Sequence, residues 1–359
     1  MSTNVAKELV VPDGSEPIFR VVFLYVGQGE STLLVIPMDD FGRSYSYVLT
    51  DANLDEGNSG IYLPHFLNDL VDENQKLSIF INTHPHKDHL NGLSKVSDKI
   101  DIANVWHSGH KPSKEHDDSY KELQKVIKKV KESGGSIIQL LGTRETKKIG
   151  LVEYNVLSPA EYVVDDIGDE TPRQRDARIH EHCSVLRFSF GSDSNKCRVL
   201  ITGDADKAAW EKHITEYHGK KEENRIRAQV LSAPHHGSRS AFMDSEDDED
   251  PYVEHLEVID PSYVVISAPR KEESPHGHPH DDALKIYLTK VKDDNRILHT
   301  GRNRYSFILT VYQDGTYYID NDSGLLAKTY RCPSDNGGKG AKEAITVITS
   351  TKSTRMGGF

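Results

Sequence analysis

The chain has 359 residues, of which 44 are Lys or Arg, 56 are Asp or Glu and 18 are His, and its formal net charge is −12. Its apolar content of 36% is enough for a sizeable core, which excludes a largely disordered chain. No apolar run approaches the roughly 18 residues of a membrane span. The acidic balance argues against a protein that coats long nucleic acids through a broad basic face.

The N-terminal sequence and the cysteines both favour the cytoplasm. The first residues lack the basic and apolar regions of a signal peptide. Cys183, Cys197 and Cys332 are too few, and odd in number, for a disulfide framework. We therefore expect a cytoplasmic protein that is not associated with a membrane.

Short apolar runs alternate with amphipathic helical patterns along the chain. Runs rich in β-branched and aromatic residues predict strands, and apolar residues spaced i, i+3, i+4, i+7 predict helices. The predicted strands, in chain order, are residues 18–26, 31–36, 45–50, 77–83, 137–141, 151–157, 183–190, 197–202, 229–233, 263–267, 306–311 and 316–319. Helical stripes begin at Leu63, Leu123, Trp210 and Leu284, and residues 158–180 are predicted to form a polar loop.

This alternation of strand groups with helices favours an α+β sandwich. Two mixed sheets would pack face to face with helices outside, which explains the pattern better than a doubly wound parallel sheet. Residues 1–15 would form an N-terminal extension and residues 16–320 the main domain. Residues 321–359 would form a C-terminal tail or extension, because the last stretch is rich in Gly, Ser, Thr and Lys.

The strongest functional signal is the sequence THPHKDH at residues 83–89, directly after a predicted buried strand. His84 and His86 alternate along the chain and can face one side, whereas Asp88 and His89 can face the other. Imidazole and carboxylate groups are ligands for Zn, Mn and Fe. Four ligands within six residues therefore predict two metal ions held close together.

One loop cannot complete two coordination spheres, so we expect ligands from the ends of other strands. Each candidate lies beside a predicted strand. The candidates are His182 before strand 183–190, Asp204 after strand 197–202, His235 and His236 after strand 229–233, and His278 after strand 263–267.

Together these motifs resemble the metallo-β-lactamase fold, in which HxHxDH follows a strand and a later His, a Thr-Gly-Asp and a last His complete the set. More narrowly, VGQGES at 26–31, APHHGS at 233–238 and GHPH at 277–280 resemble the soluble hydrolase domain of the DNA-uptake protein ComEC and its free-standing relatives. The resemblance covers about residues 16–320. It implies the four-layer αβ/βα sandwich of that fold, and activity on phosphodiesters.

The resemblance also implies a ligand set and a cofactor of two divalent metal ions, Zn²⁺ first, with Mn²⁺ or Fe as alternatives. One ion would be held by His84, His86 and His182, with His180 as the alternative to His182. The other would be held by Asp88, His89 and His278, with His235 as the alternative to His278. Asp204 would bridge the ions. Asp51 would accept hydrogen bonds that orient the HxHxDH loop.

The expected function is a dinuclear metal-dependent hydrolase of phosphodiesters, either a nuclease or a nucleotide or phosphoester diesterase. A metal-bound hydroxide would attack phosphorus, with Asp88 and Asp204 orienting it. His235 and His236 would hold the phosphate or donate a proton. The substrate would be single-stranded DNA or a nucleotide, and a protein partner stays open.

Two alternatives follow from the same residues. The first is a metal-dependent acyl hydrolase acting on amides, thioesters or lactams. The second is a non-catalytic metal-binding component of a multigene defence or signalling system. A basic cleft would favour phosphate substrates, and an apolar cleft would favour acyl substrates.

Overall fold

The computed structural model describes residues 4–14, 16–54, 60–114, 117–160, 170–220 and 223–332. Residues 161–169 of the predicted loop and residues 333–359 of the predicted C-terminal extension lie outside the described residues. Within these ranges, no helix is long and apolar enough to cross a membrane.

Most predicted strands are present, and their bounds shift by a few residues. The strands are β1 (Ile18–Phe23), β2 (Thr32–Pro37), β3 (Tyr45–Thr50), β4 (Ile79–Asn82), β5 (Asn104–His107), β6 (Ser136–Gln139), β7 (Lys147–Ile149), β8 (Val152–Ser158), β9 (Val185–Ser192), β10 (Asn195–Ile201), β11 (Val230–Ser232), β12 (Tyr263–Ile266), β13 (Ile297–His299), β14 (Phe307–Tyr312) and β15 (Tyr317–Asn321).

The α-helices are α1 (Val5–Val10), α2 (Leu63–Leu70), α3 (Lys87–Leu90), α4 (Leu93–Ser97), α5 (Asp117–Glu132), α6 (Pro172–Glu181), α7 (Glu254–Ile259), α8 (Asp281–Val291), α9 (Thr300–Asn303) and α10 (Leu325–Thr329). A π-helix spans Ala209–Gly219, where the sequence predicts an amphipathic helix. Short 3₁₀ turns occupy Pro234–Gly237, Arg239–Ala241 and Asp294–Arg296.

The strands form two mixed sheets. The first has the order β15-β14-β1-β2-β3-β4-β5-β6, and the second has the order β13-β12-β11-β10-β9-β8-β7. In the first sheet, β3 to β6 are parallel neighbours and the other pairs are antiparallel. In the second sheet, β10 to β13 are parallel neighbours. Each sheet therefore joins an antiparallel half to a parallel half.

Alternation along the strands divides the core into layers. In β1, Val21 belongs to the cluster between the two sheets, whereas Val22 packs on the other side, with the helices that cover the first sheet. Successive side chains of a strand point to opposite faces, so one strand serves both layers. Trp210 and Tyr287 belong to a third cluster on the outer face of the second sheet. The four-layer sandwich predicted from the sequence is confirmed.

The described ends of the chain pack onto the helical layer of the first sheet. The backbone N–H of Tyr62 donates to the carbonyl of Tyr330 over 2.6 Å. The hydroxyl of Tyr330 accepts a hydrogen bond from the N–H of Ala6 in α1. Tyr330 therefore joins α1, α2 and α10. The domain boundaries at residues 16 and 320 stay predictions.

The predicted loop over residues 158–180 is corrected in its second half, which is helix α6. Thr171 caps this helix: its side chain accepts from the N–H of Gln174, and the Gln174 side chain accepts from the N–H of Thr171. Pro172 occupies the first turn, where the N–H that proline lacks would have no partner in the helix. These features form a capping box, a start signal that the sequence itself contains.

The loops that carry the predicted ligands meet at one end of the sandwich. The HxHxDH segment follows β4, Asp204 follows β10, and the two adjacent histidines follow β11. These are the carboxyl ends of parallel strands, where open α/β sheets commonly bind ligands. The fold therefore brings segments distant in sequence to one place.

Replacing Thr171 by Ala should lower the free energy of unfolding by about 1 kcal/mol, because the first turn of α6 loses its cap. Thr289→Ala is the matched control, since Thr289 lies inside α8 and its hydroxyl donates to the Ile286 carbonyl in the same helix. Denaturant unfolding of the two variants measures the difference. Equal stability of both variants would contradict the capping role.

Candidate metal centre

The first group of potential ligands consists of His84, His86 and His180, whose ligand atoms lie within 4.8 Å of one another. His180 Nε2 lies 3.1 Å from His86 Nδ1. Asp204 Oδ2 lies 3.6 Å from His84 Nε2 and 3.9 Å from His180 Nε2. Three imidazoles and one carboxylate oxygen thus converge on one point.

The second group consists of Asp88, His89, Asp204 and His236. Asp204 Oδ1 lies 3.1 Å from His89 Nε2 and 3.6 Å from His236 Nε2. His236 Nε2 lies 3.2 Å from Asp88 Oδ2 and 3.3 Å from His89 Nε2. Two imidazoles and two carboxylates therefore converge beside the first group.

Asp204 belongs to both groups and faces each with a different oxygen. Oδ2 points to the first group and Oδ1 to the second. The side chain is 2% exposed. A buried carboxylate in this position can bridge two cations.

Asp51 holds the HxHxDH loop in place. Its carboxylate accepts from the Thr83 N–H over 2.8 Å and from the Thr83 hydroxyl over 2.6 Å. It also accepts from His89 Nδ1 over 2.7 Å, which leaves Nε2 of that ring to face Asp204. Asp51 has a φ of +56°, a strained conformation for a residue with a side chain. These hydrogen bonds stabilise that backbone.

The loop that contains VGQGE packs against the HxHxDH loop. The N–H of Glu30 donates to the carbonyl of Asp88 over 3.2 Å. Asn53 Nδ2 donates to the carbonyls of Val26 and Gln28. Gly29 has a φ of +138°, and a Cβ at this residue would lie 2.4 Å from the Asp88 carbonyl oxygen. Only glycine permits this close approach.

The turn after β11 directs two adjacent histidines into the site. His235 and His236 have φ values of +51° and +56°, and Gly237 continues the left-handed conformation at +78°. Each such non-glycine residue costs about 1–3 kcal/mol, and strain of this kind concentrates at functional sites. His236 Nδ1 donates to the Ser267 carbonyl over 2.8 Å, so its Nε2 faces Asp88 and Asp204.

The electrostatics of the centre reflect carboxylates and imidazoles that share a buried space. Burial alone would raise the pKa of Asp204, but the neighbouring imidazoles, His89 foremost, hold it well below its usual range. Burial lowers the pKa of His84 and of His180. Burial also opposes a charge on His89 and on His236, but the neighbouring carboxylates, Asp204 foremost, together outweigh it: the pKa of His89 is raised, and that of His236 is raised to about 9.

Glu30 lies just behind the second group. Its carboxylate accepts from the Ser232 hydroxyl over 3.0 Å and lies near Asp51 and His89. Burial, and next the charge of Asp51, raise the pKa of Glu30 to about 7. From the sequence, this residue is known only as part of the VGQGES motif.

The residues present fit two metal ions. His84 Nε2 is buried and has no hydrogen-bond partner. Such groups are costly unless something satisfies them. The measured separations between ligand atoms suit donors that share an ion at bond lengths of about 2.0–2.2 Å. Three nitrogens with a carboxylate, and two nitrogens with two carboxylates, suit Zn, Mn or Fe.

The structure places His180, and not the preferred His182, beside His84 and His86. His180 lies on the last turn of α6 and faces His86, whereas His182 lies just beyond the helix and groups with Glu181 and His213. Because α6 is not predicted from the sequence, the sequence favours His182, the histidine nearest to β9.

The structure likewise places His236, and not the preferred His278, beside Asp88, His89 and Asp204. His236 belongs to the second group of potential ligands. The His278 ring is stacked behind the His236 ring, with the ring centroids 6.1 Å apart. His235, the alternative, lies 3.5 Å from Asp204 Oδ2 and is 21% exposed, at the open side of the centre. The consecutive left-handed residues that produce this arrangement leave no clear signal in the sequence.

Asp176 is a further residue at the site that the sequence analysis overlooked. Its Oδ1 lies 3.5 Å from His86 Nε2, and its side chain is 26% exposed. It lies one turn before His180 on α6. The capping box at Thr171 could have revealed it, because residues 176 and 180 share one face of a helix that starts there.

Residues 46–251 match the family profile of the metallo-beta-lactamase superfamily, and the chain belongs to that superfamily of metal-dependent hydrolases. No curated protein sequence matches.

Three solved structures illustrate the similarity. CmlA beta-hydroxylase (E377D mutant) is 12% identical over 83% of this chain and 54% of its own, with a TM-score of 0.41; the chain thus spans about half of its length. A diphosphatase from the PhnP family is 13% identical over 85% and 98%, with a TM-score of 0.35. Tm1679, a metal-dependent hydrolase of the beta-lactamase superfamily, is 15% identical over 78% and 95%, with a TM-score of 0.41. Similarities of this size carry no weight for function.

Replacing His236 by Ala should remove one metal ion per chain, because it takes an imidazole from the second group. His278→Ala removes the same side chain from the ring layer behind and should leave the count unchanged. Elemental mass spectrometry of the metal-loaded proteins distinguishes the two. Loss of an ion from the His278 variant alone would show that His278 is the ligand, as the sequence predicts.

Gly29→Ala should destabilise the protein and weaken metal binding, because the new Cβ would collide with the Asp88 carbonyl. Gly134→Ala is the matched control: its φ is +78°, yet a Cβ there would meet nothing within 4 Å. The control should cost about 1–2 kcal/mol from backbone strain alone. Denaturant unfolding measures the stability of both variants, and metal titration measures their affinity for metal. Equal stability and equal affinity would contradict the role of Gly29 in packing against the Asp88 carbonyl.

Proposed function

We propose that this chain hydrolyses phosphodiesters with two divalent metal ions. His84, His86 and His180 would hold one ion, and Asp88, His89 and His236 the other, with Asp204 between them. When bound, two such ions activate water and stabilise charge that develops on phosphoryl oxygens. The observation that carries the proposal is the shared carboxylate of Asp204, which presents one oxygen to each group.

His235 is suited to contact a phosphoryl oxygen. Its ring lies at the open side, 4.5 Å from the His180 ring by centroid, and Nδ1 lies 2.9 Å from the Ser240 hydroxyl. Burial lowers the pKa of His235 to about 4, so the ring is neutral near pH 7. In the tautomer in which Nδ1 accepts from the Ser240 hydroxyl, Nε2 carries the proton and can donate to the substrate.

Polar groups surround the opening. Asp88, Asp176 and His235 are each between 21% and 27% exposed there. The exposed large apolar side chains of the described chain all belong to other segments; they are Met38, Phe41, Ile138, Leu141, Tyr217, Val253 and Leu288. The opening is therefore polar and not apolar, which argues against an apolar acyl substrate.

Gln28 offers a further donor beside the Asp88 segment. Its Oε1 accepts from the Ser274 hydroxyl over 2.9 Å, which fixes the amide, and its Nε2 is buried without a hydrogen-bond partner. A phosphoryl oxygen would satisfy this donor.

The motifs VGQGES, APHHGS and GHPH extend the proposal to the kind of phosphodiester. They resemble the hydrolase domain of ComEC, and on that resemblance we propose single-stranded DNA or a nucleotide as the substrate.

Asp204→Asn should abolish turnover of bis-(p-nitrophenyl) phosphate. Loss of about 4 kcal/mol of transition-state stabilisation corresponds to a rate lower by about 10³-fold. Asp244→Asn, at a 77%-exposed carboxylate paired with Lys207, is the control and should keep full activity. Labelled single-stranded DNA and nitrocefin, assayed in parallel, identify the substrate class. Turnover of nitrocefin without turnover of either phosphodiester would contradict the proposal.

His235→Ala should lower kcat on the phosphodiester by about 10²–10³-fold, the usual cost of removing one donor to transition-state charge. The metal content should not change. His276→Ala, an exposed histidine on the neighbouring loop, should leave kcat unchanged. A His235 variant that loses a metal ion would make His235 a ligand instead.

A further inference from the structure

We propose that Glu181, His182 and His213 form a separate site for one divalent metal ion of the zinc class. Each offers a ligand atom, and these three atoms lie within 4.8 Å of one another. This cluster shares no residue with the two groups around Asp204. Its existence does not depend on which substrate the enzyme hydrolyses.

The geometry of the cluster suits a three-ligand site. His213 Nε2 lies 3.0 Å from Glu181 Oε1, and the rings of His182 and His213 are 4.8 Å apart by centroid. His182 Nδ1 is buried without a hydrogen-bond partner. Two imidazoles and one carboxylate are an established ligand set for zinc, with a fourth position left for water.

Neighbouring groups hold the ligands in place. The backbone N–H of His182 donates to the carbonyl of Arg178, which sets the end of α6. His110 Nε2 lies 3.1 Å from the carbonyl oxygen of His182. The Glu181 side chain is 23% exposed and the His213 side chain 12%, so an ion can reach them from solvent.

One cation already touches this cluster. Lys212 Nζ lies 3.0 Å from Glu181 Oε1, the same oxygen that faces His213. The Lys212 side chain is 56% exposed, so its amine can move into water when an ion takes its place. Lys212 is therefore a competitor for the site and not a ligand.

The site connects two elements that carry ligands of the main centre. Glu181 ends α6 and directly follows His180. His213 lies on the π-helix Ala209–Gly219, which starts five residues after Asp204. An ion between them would fix the last turn of α6 against the π-helix, an element often found at functional sites. The third ion would thus stabilise the position of His180.

The test is to count ions in the full chain after loading with Zn²⁺ and removal of excess metal, by elemental and native mass spectrometry. Glu181→Gln keeps the shape of the side chain and removes its charge, and His213→Ala removes an imidazole. Each should hold one ion fewer than the unaltered chain. In the Co²⁺-loaded forms, the same variants should lose part of the visible absorption.

Lys212→Ala is the matched control, because it changes the adjacent residue and removes the competing amine. It should keep all its ions and bind the third with a lower Kd. An unchanged ion count in both Glu181→Gln and His213→Ala would overturn the site, as would loss of an ion from Lys212→Ala. Failure of the main centre is distinguishable, because Asp204→Asn would then leave the ion count unchanged, whereas a functional main centre loses ions in that variant.

Discussion

A buried carboxylate surrounded by imidazoles dominates this molecule. Asp204 lies within 4 Å of five histidine rings, those of His84, His89, His180, His235 and His236. Two of these rings are completely buried and have no access to water. A cluster of this kind is expensive in a protein interior unless cations balance it. The arrangement of the chain's own side chains therefore fits bound metal ions.

The rest of the fold serves this cluster. Two sheets contribute the loops after β4, β10 and β11, so neither sheet alone can assemble the centre. Among the described non-glycine residues with positive φ, Asp51, His235 and His236 lie at the centre. Hydrogen bonds with neighbouring loops stabilise this backbone. Asp51, for example, accepts hydrogen bonds from Thr83 and His89. Packing in the core of the sandwich offsets the free energy that this strained backbone costs.

Much of the centre could be predicted from local sequence. Strand β3 has the predicted bounds, and the THPHKDH segment follows a buried strand as expected. The structure groups His180 and His236 around Asp204, where the sequence favours His182 and His278. Both differences depend on geometry beyond a single segment. His180 depends on α6, whose start signal at Thr171 the sequence contains but whose continuation to Glu181 it does not make evident. His236 depends on three consecutive left-handed residues, a backbone path that periodicity cannot reveal.

In the proposed centre, two metal ions lie on either side of Asp204. Anomalous diffraction at the zinc edge from crystals of the Zn²⁺-loaded protein tests it most directly. We expect one peak among His84, His86 and His180 and a second among Asp88, His89 and His236, each within bonding distance of a different Asp204 oxygen. A single peak at this centre, or a peak bound by His278 in place of His236, would contradict it.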